Sequence, residues 1–587
     1  MMDVSLFFIF ALPFAAGLIL FLPGNYGNLR KNLSLGVFFL IFAFSVFLFL
    51  KPQASWHSYL FNSYTLTLGL DKLSRLILIF ANLFGVLICL YSKDYMQDKR
   101  GYFSWLLLLM AFTNLEILAA DFLVFSTAWA GSILTLYALL NLGSKLSAKK
   151  AATILGFSWV CFIAGSVIYF KVSGSMAMFG SGSMVLARPV SWLAFCLMLI
   201  GALAKVGSGP FHTWIPTAAE SAPIPVMAIL PASFDKLLGV YILSRLCLDF
   251  FVLNDFVIGI LLIIGSLTII FAVLMALIQH DLRKLLSYHA VSQAGYMVLG
   301  LGTGNPIGII GAIFHMFNNA IYKNGLFLVG GVVEKKKGTF DLDKLGGLAR
   351  YMPLTFISAL ILSLSISGVP PFNGFSSKWM IYQGAFLGLT ASSGALLRFI
   401  YAFALISAMF GSALTLASFI KFIHAIFLGQ ENNARKKEPA GVSWKMLTPL
   451  LVLSGLCVLL GVFSDSFIKG FLAPDFSFVL NYAGTWNSIS VLLFLGIALS
   501  LGFVLWMATG LKRKVRKDTY FSGGELGYDA PDFPATEFYK TIENLPLLAI
   551  FYRFLKNEKF DIYNILNKIP EGLIFIFSLR WIFGRNK

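Results

Sequence analysis

Apolar runs long enough to cross a bilayer recur along the whole chain, separated by short loops that hold most of the charge. They fall at 4–22, 33–50, 74–92, 103–119, 122–141, 151–170, 190–208, 225–245, 252–278, 284–301, 306–332, 354–387, 397–427, 446–464 and 486–509. The 354–387 stretch is too long for one span, and Pro370–Pro371 divides it into two half-helices around a non-helical bend. The pattern predicts an all-α polytopic membrane protein with about 14–16 transmembrane helices. No basic segment precedes the first run, Val4–Pro23, so it reads as a first span and not as a cleavable signal.

Loop charge supports the count. Basic clusters stand at Arg30–Lys31, at Lys93, Lys99 and Arg100, at Lys145, Lys149 and Lys150, at Arg283–Lys284, at Lys335–Lys337, at Arg435–Lys437 and between Lys512 and Lys517. Each follows an odd-numbered span, so all share one side. The positive-inside rule makes that side the cytoplasm and puts the N-terminus outside a bacterial or archaeal cytoplasmic membrane. From Leu511 the chain is more polar; the short apolar run Gly572–Phe583 fits either a tilted last helix or an interfacial one.

The chain is 58% hydrophobic and only 12% charged, roughly half the charge of a soluble protein. Its net charge of +18 lies in loops, which points to the lipid bilayer and not to nucleic acid. Its five cysteines are scattered singly, and its six histidines show no metal spacing. There is no Walker A loop and no GxGxxG after a strand. Neither a cofactor nor a metal is expected in this chain, and any redox centre it serves would sit in partners.

Candidate chemistry is concentrated in ionisable groups inside apolar runs, where they are costly and mark ion or proton paths. Gly201–Arg245, GALAKVGSGPFHTWIPTAAESAPIPVMAILPASFDKLLGVYILSR, holds Lys205, His212, Asp235 and Lys236 among five prolines. His315, Asn319 and Lys323 follow at i, i+4 and i+8 and share a helix stripe. Lys378 follows the proline break. Lysine suits proton transfer because desolvation moves its pKa. Plainer readings compete: Lys236 lies where a lysine snorkels to headgroups, and His212 and His289 sit where a satisfied, non-titrating histidine is common. Glu116 and Asp121 fall between two spans and read as loop residues.

These motifs resemble a known family. GALAKVGSGPFHTWIPTAAESAPIPV is similar to the helix 7–8 signature of the antiporter-like subunits of respiratory complex I. Mrp antiporter subunits and the large membrane subunits of energy-converting (group 4, formate-hydrogenlyase-type) hydrogenases share that family. DLRKLLSYHAVSQAGYMVLG resembles its helix 9–10 motif, IFHMFNNAIYKNGLFLVGGVV its helix 11 and PPFNGFSSKW its broken helix 12. The resemblance covers roughly Phe103–Gly429. It implies two inverted five-helix repeats, each with a broken helix, at 103–250 and 251–430. Helices at 1–102 and 431–510 and a tail at 511–587 flank them. It also implies that Lys205, Lys323 and Lys378 are the helix 7, 11 and 12 lysines, and that His212 and His315 match motif histidines. The chain departs from the pattern at Ala130, where the family has a glutamate after Trp129 to pair with the helix 7 lysine. It departs again at ILPASFDK, where helix 8 often carries a histidine, and at Asn319, where a second helix 11 histidine is common. Asp235, or with less support Glu116, is expected to replace the missing carboxylate. The tail, SGGELGYDAPDFPATEFYKTIENLPLL, looks more like hydrogenase- and Mrp-type chains.

The expected function is proton or Na⁺ translocation within a complex-I-like or hydrogenase-type oxidoreductase. Its partners would be other membrane subunits and a peripheral redox arm holding iron–sulfur, nickel–iron or flavin centres. The alternatives are a Mrp-type Na⁺/H⁺ antiporter subunit with no redox partner, and a structural scaffold with a degenerate channel.

Overall fold

The apolar runs fold as helices whose ends are set by polar caps in the loops. Asp121 accepts from Val124 N at 2.8 Å and starts the helix Phe122–Asn141. Asn305 accepts from Gly308 N at 3.1 Å, with Pro306 at the first helical position, and starts the helix Pro306–Lys337. The computed structural model describes residues 5–22, 27–50, 54–60, 64–96, 101–180, 182–429, 441–472, 488–508, 537, 539, 542, 545–555 and 561–567.

In chain order the helices are α1 (Ser5–Ile19), α2 (Gly27–Leu50), α3 (Lys72–Tyr95), α4 (Tyr102–Leu118), α5 (Phe122–Asn141), α6 (Lys145–Ser173), α7 (Pro189–Val206), α8 (Trp214–Ala219) and α9 (Ile224–Phe250). They continue as α10 (Asp255–Leu277), α11 (Leu282–Gly302), α12 (Pro306–Lys337), α13 (Pro353–Ser367), α14 (Asn373–Ala391), α15 (Ala395–Leu428) and α16 (Trp444–Val462). A short turn, α17 (Ser464–Phe467), precedes α18 (Ser488–Ala508), and the tail adds α19 (Pro546–Leu555) and α20 (Ile562–Leu566). Among the described residues nine helices are long and apolar enough to cross a membrane. Helices α11, α12 and α14 are equally long but carry the polar groups of the site.

An antiparallel hairpin, β1 (Ala54–Leu60) with β2 (Tyr64–Leu70), joins α2 to α3. The hydrophobic pattern did not predict it, because it lies in a loop between two spans.

Five basic clusters meet on one face, as the loop charges imply. Lys93 donates to Asn32 Oδ1 at 2.6 Å, beside Arg30 and Lys31, and Lys335 donates to the Asp94 carbonyl at 2.7 Å. Lys284 pairs with Glu220 at 2.7 Å, next to Ser221, whose hydroxyl meets Ser147 at 3.1 Å. The clusters at Arg435–Lys437 and Lys512–Lys517, and the run Gly572–Phe583, lie outside the described residues. Two sets of crossings follow: α4, α5, α6, the α7–α8 pair and α9, then α10, α11, α12, the α13–α14 pair and α15. The first set starts on the basic face and the second on the opposite face, so the two run in inverted sense.

Candidate functional site

Helix α9 is built around an irregular turn. Pro231 has no N–H to give, and Leu230–Phe234 widens into a π-helical turn. Ser233 Oγ turns back to the Ala228 and Ile229 carbonyls at 3.0 and 2.8 Å. Asp235 and Lys236 follow at once. Helix α9 presses onto the end of α7 so closely that a Cβ on Gly239 would lie 2.4 Å from Val206 N. There α7 stops, as Gly207 turns left-handed at φ 72° and frees the last carbonyls. Lys236 Nζ donates to one of them, Val206 O, at 2.7 Å, and its residue is fully buried. Snorkelling is therefore excluded for Lys236.

Lys205, one residue before that end, is enclosed by two carboxylates and an indole. Its Nζ lies 2.9 Å from Glu116 Oε2, 4.0 Å from Asp235 Oδ1 and 4.7 Å from the Trp129 ring centre. Glu116 is not a loop residue: it lies in the last turn of α4, at 0% exposure. The carboxylate absent at Ala130 is thus supplied by α4, with Asp235 in the outer place, which reverses the order expected from sequence. Asp121 is a loop residue and caps α5.

The second repeat breaks in the same way. Helix α13 ends at Gly368, left-handed at φ 80°, and Lys378 in α14 donates to the freed Ile366 carbonyl at 2.9 Å. Asn318 of α12 holds the start of α14 through reciprocal bonds, Asn318 Nδ2 to Asn373 O and Asn373 Nδ2 to Asn318 Oδ1, both at 2.9 Å. Lys378 Nζ also lies 4.7 Å from the Tyr296 ring centre. His315 is 2.9 Å from Ser377 Oγ and 3.0 Å from Gln293 Oε1, so it links α12 to α14 and α11.

Between the two breaks runs α12. Lys323 Nζ donates to Leu286 O of α11 at 2.6 Å, and it faces Lys236 closely enough to interact with it electrostatically. Asn319, on the same stripe, is buried, and neither end of its amide has a protein partner. His289 is buried within α11 and bonded to Ser418 Oγ at 2.7 Å. His212 is half-buried in the loop between α7 and α8, within electrostatic reach of Lys236 and Lys150, and its buried Nδ1 has no protein partner. The sequence pattern did not single out Ser418, Gln293 or Lys421, all buried. Lys421 was findable as a lysine inside the 397–427 run.

The tail reaches this machinery. Tyr539 Oη donates to Ala417 O at 3.0 Å and Tyr552 Oη to Leu274 O at 3.1 Å. Asp561 accepts from Thr213 Oγ1 at 2.7 Å, beside His212, and pairs with Lys150. Burial pushes the Asp561 carboxyl up, but the bonds from Lys150 and Thr213 outweigh it and hold the group below its ordinary 3.8. Its contribution to docking is full above that ordinary value and is lost as the pH falls through the lowered one. At neutral pH, Asp561→Asn is expected to speed hydrogen exchange of the 562–567 amides. Unchanged exchange would mean that other contacts hold the tail.

Residues 119–400 match the family described as NADH:quinone oxidoreductase/Mrp antiporter, TM. That stretch, a little under half of the chain, is similar to antiporter-like membrane subunits. Over 478 residues it is 28% identical to a protein of Rhizobium meliloti named as a probable K(+)/H(+) antiporter component, covering 78% of this chain and 47% of that one. Over 491 residues it is 29% identical to a protein of Staphylococcus aureus named as a Na(+)/H(+) antiporter component, covering 77% and 61%. The chain therefore spans only about half to three fifths of these relatives. In fold, the chain is similar to one in the membrane-bound sulfane sulfur reductase, an archaeal respiratory membrane complex. The TM-score there is 0.82 at 22% identity, covering 99% of this chain and 97% of that one. It is also similar to chains of the Dietzia Mrp complex (TM-score 0.71, 21% identity, 79% and 95% covered) and of Thermus thermophilus complex I (0.67, 21%, 79% and 97%).

Proposed function

We propose that this antiporter-like subunit moves protons, or Na⁺, across a cytoplasmic membrane as part of a complex-I-like or hydrogenase-type respiratory complex. The observation that carries the reading is the line of buried charges set at two broken helices: Glu116, Lys205, Asp235 and Lys236, then Lys323, then His315 and Lys378. Charges at this depth are tolerated where they transport. His212, His289 and Asn319 complete the path, 103–250 and 251–430 act as two half-channels, and the basic face lies in the cytoplasm. Opening the Glu116–Lys205 pair would shift Lys205 toward Asp235 and alter the field at Lys236 and so at Lys323. Each pKa unit moved along such a chain is worth about 1.4 kcal/mol. The energy would come from iron–sulfur, nickel–iron or flavin centres in a peripheral arm of partner subunits.

The near end-to-end likeness to the archaeal respiratory chain supports this reading. A second reading, a Mrp-type antiporter subunit with no redox arm, is supported by the names of relatives similar in sequence. Purification in mild detergent and identification of the co-purifying chains separates them. Iron–sulfur or nickel-bearing partners are expected on the first reading. Small membrane subunits alone, with Na⁺-dependent proton flux in vesicles, would overturn it in favour of the second.

A further inference from the structure

Five lysines are buried among the described residues, and the relay above uses four of them. The fifth, Lys421, lies near the basic-face end of α15. Its Nζ donates to Leu277 O at 2.5 Å and Gln279 O at 2.9 Å, at the end of α10. Three residues inward on the same helix face, Ser418 Oγ meets His289 Nε2 at 2.7 Å. His289 Nδ1 is buried without a protein partner. One turn back along α11, Leu286 O receives Lys323 Nζ at 2.6 Å. The Phe419 ring walls this stretch, with its centre 4.8 Å from the His289 ring centre and 5.9 Å from Lys323 Nζ. Outward of Lys421, the chain passes from Gln279 to His280, whose Nδ1 lies 2.8 Å from Asp343 Oδ2; those two side chains are 53% and 37% exposed. Polar groups thus step from water to the centre of the protein with Lys421 in the middle.

We propose that Lys421, Ser418 and His289 form a separate inlet from the basic face that delivers protons to Lys323 without passing through Lys205. The inference rests on the translocation reading above and adds a route to it. His289 lies within electrostatic reach of Lys421, Lys323 and Lys378. In the step itself, the Lys421 ammonium loses a proton toward the Ser418 hydroxyl. That hydroxyl passes its own proton to His289 Nε2, and the imidazolium releases the Nδ1 proton toward Lys323, which must be neutral to take it.

A capping role for Lys421 is the competing explanation, and Lys421→Arg separates the two. Arginine keeps the charge and the carbonyl bonds but does not give up its proton. In everted vesicles holding the whole complex, proton flux per assembled complex is expected to fall about tenfold in Lys421→Arg, less than the full loss of a positioned proton-transfer group because the Lys205 route remains. Flux at the wild-type level would overturn the inlet. Ser418→Ala leaves the carbonyl cap untouched and is the second variant should the arginine impair assembly; it is expected to lower flux in the same way, and unchanged flux would equally overturn the inlet. Lys323→Met, assayed alongside, tests the translocation reading by itself. Loss of flux there with none in the Lys421 and Ser418 variants removes only the inlet, whereas wild-type flux in Lys323→Met removes both.

Discussion

Glu116→Gln lowers the ion flux that enters past Lys205 by about a hundredfold, read in a Lys421→Arg background where that route alone remains. A positioned proton-transfer group is worth about 10²–10⁴-fold in rate, and Glu116 is the carboxylate that holds the Lys205 amine. Lys205 keeps Asp235 at 4.0 Å and the Trp129 ring at 4.7 Å, so the lower end applies. Asp235→Asn is expected to cost less, since its carboxylate stands farther from the amine than that of Glu116 at 2.9 Å. Glu116→Asp, one methylene shorter, falls between. The measurement is proton uptake into everted vesicles, normalised to the amount of assembled complex. If Glu116→Gln and Asp235→Asn both transport normally, Lys205 needs no carboxylate and the first half-channel does not work through this pair.

Lys323→Met is expected to abolish flux, by about a hundredfold or more, while leaving the protein at least as heat-stable as before. The two expectations come from one observation. Lys323 is fully buried on α12, between the two breaks, and its Nζ rests on Leu286 O. Methionine has nearly the same length and no charge to desolvate, and replacing a buried charge by a packed apolar group is often neutral or stabilising. A lysine kept only to hold α11 and α12 together would give the opposite result, a lower melting temperature with flux retained per assembled complex. Heat-induced unfolding in detergent, read beside vesicle flux, distinguishes the two.

The helices and the proline break were legible because their causes are local. Apolar length marks a span, and Pro370 with Pro371 marks where one cannot continue as helix. The depth of Lys205, Lys323 and Lys378 follows from their places inside those runs. Glu116 was read as a loop residue although the 103–119 run covers it: α4 runs to Leu118, which puts the carboxylate in the last helical turn. Lys236 was ambiguous because its distance from a span end says nothing about which way the amine turns. The carbonyl that claims it is at Val206, thirty residues earlier in the chain. The hairpin was missed because it pairs two short loop segments with no apolar run of their own.

The sequence by itself determined that the chain is a polytopic bundle, where its apolar helices run, that Pro370–Pro371 breaks one of them, that the basic residues fall in loops, and that lysines lie inside apolar runs. Those properties depend on the composition and order of neighbouring residues. Tertiary structure decided that Glu116 and not Asp235 holds Lys205, that Lys236 and Lys378 take the carbonyls freed at the two breaks, that Lys421 is buried, and that Asp561 reaches Thr213. Each of these is a pairing across helices. One-dimensional pattern gives a side chain its depth and its face, but which charge meets which is set by the packing of helices far apart in the chain.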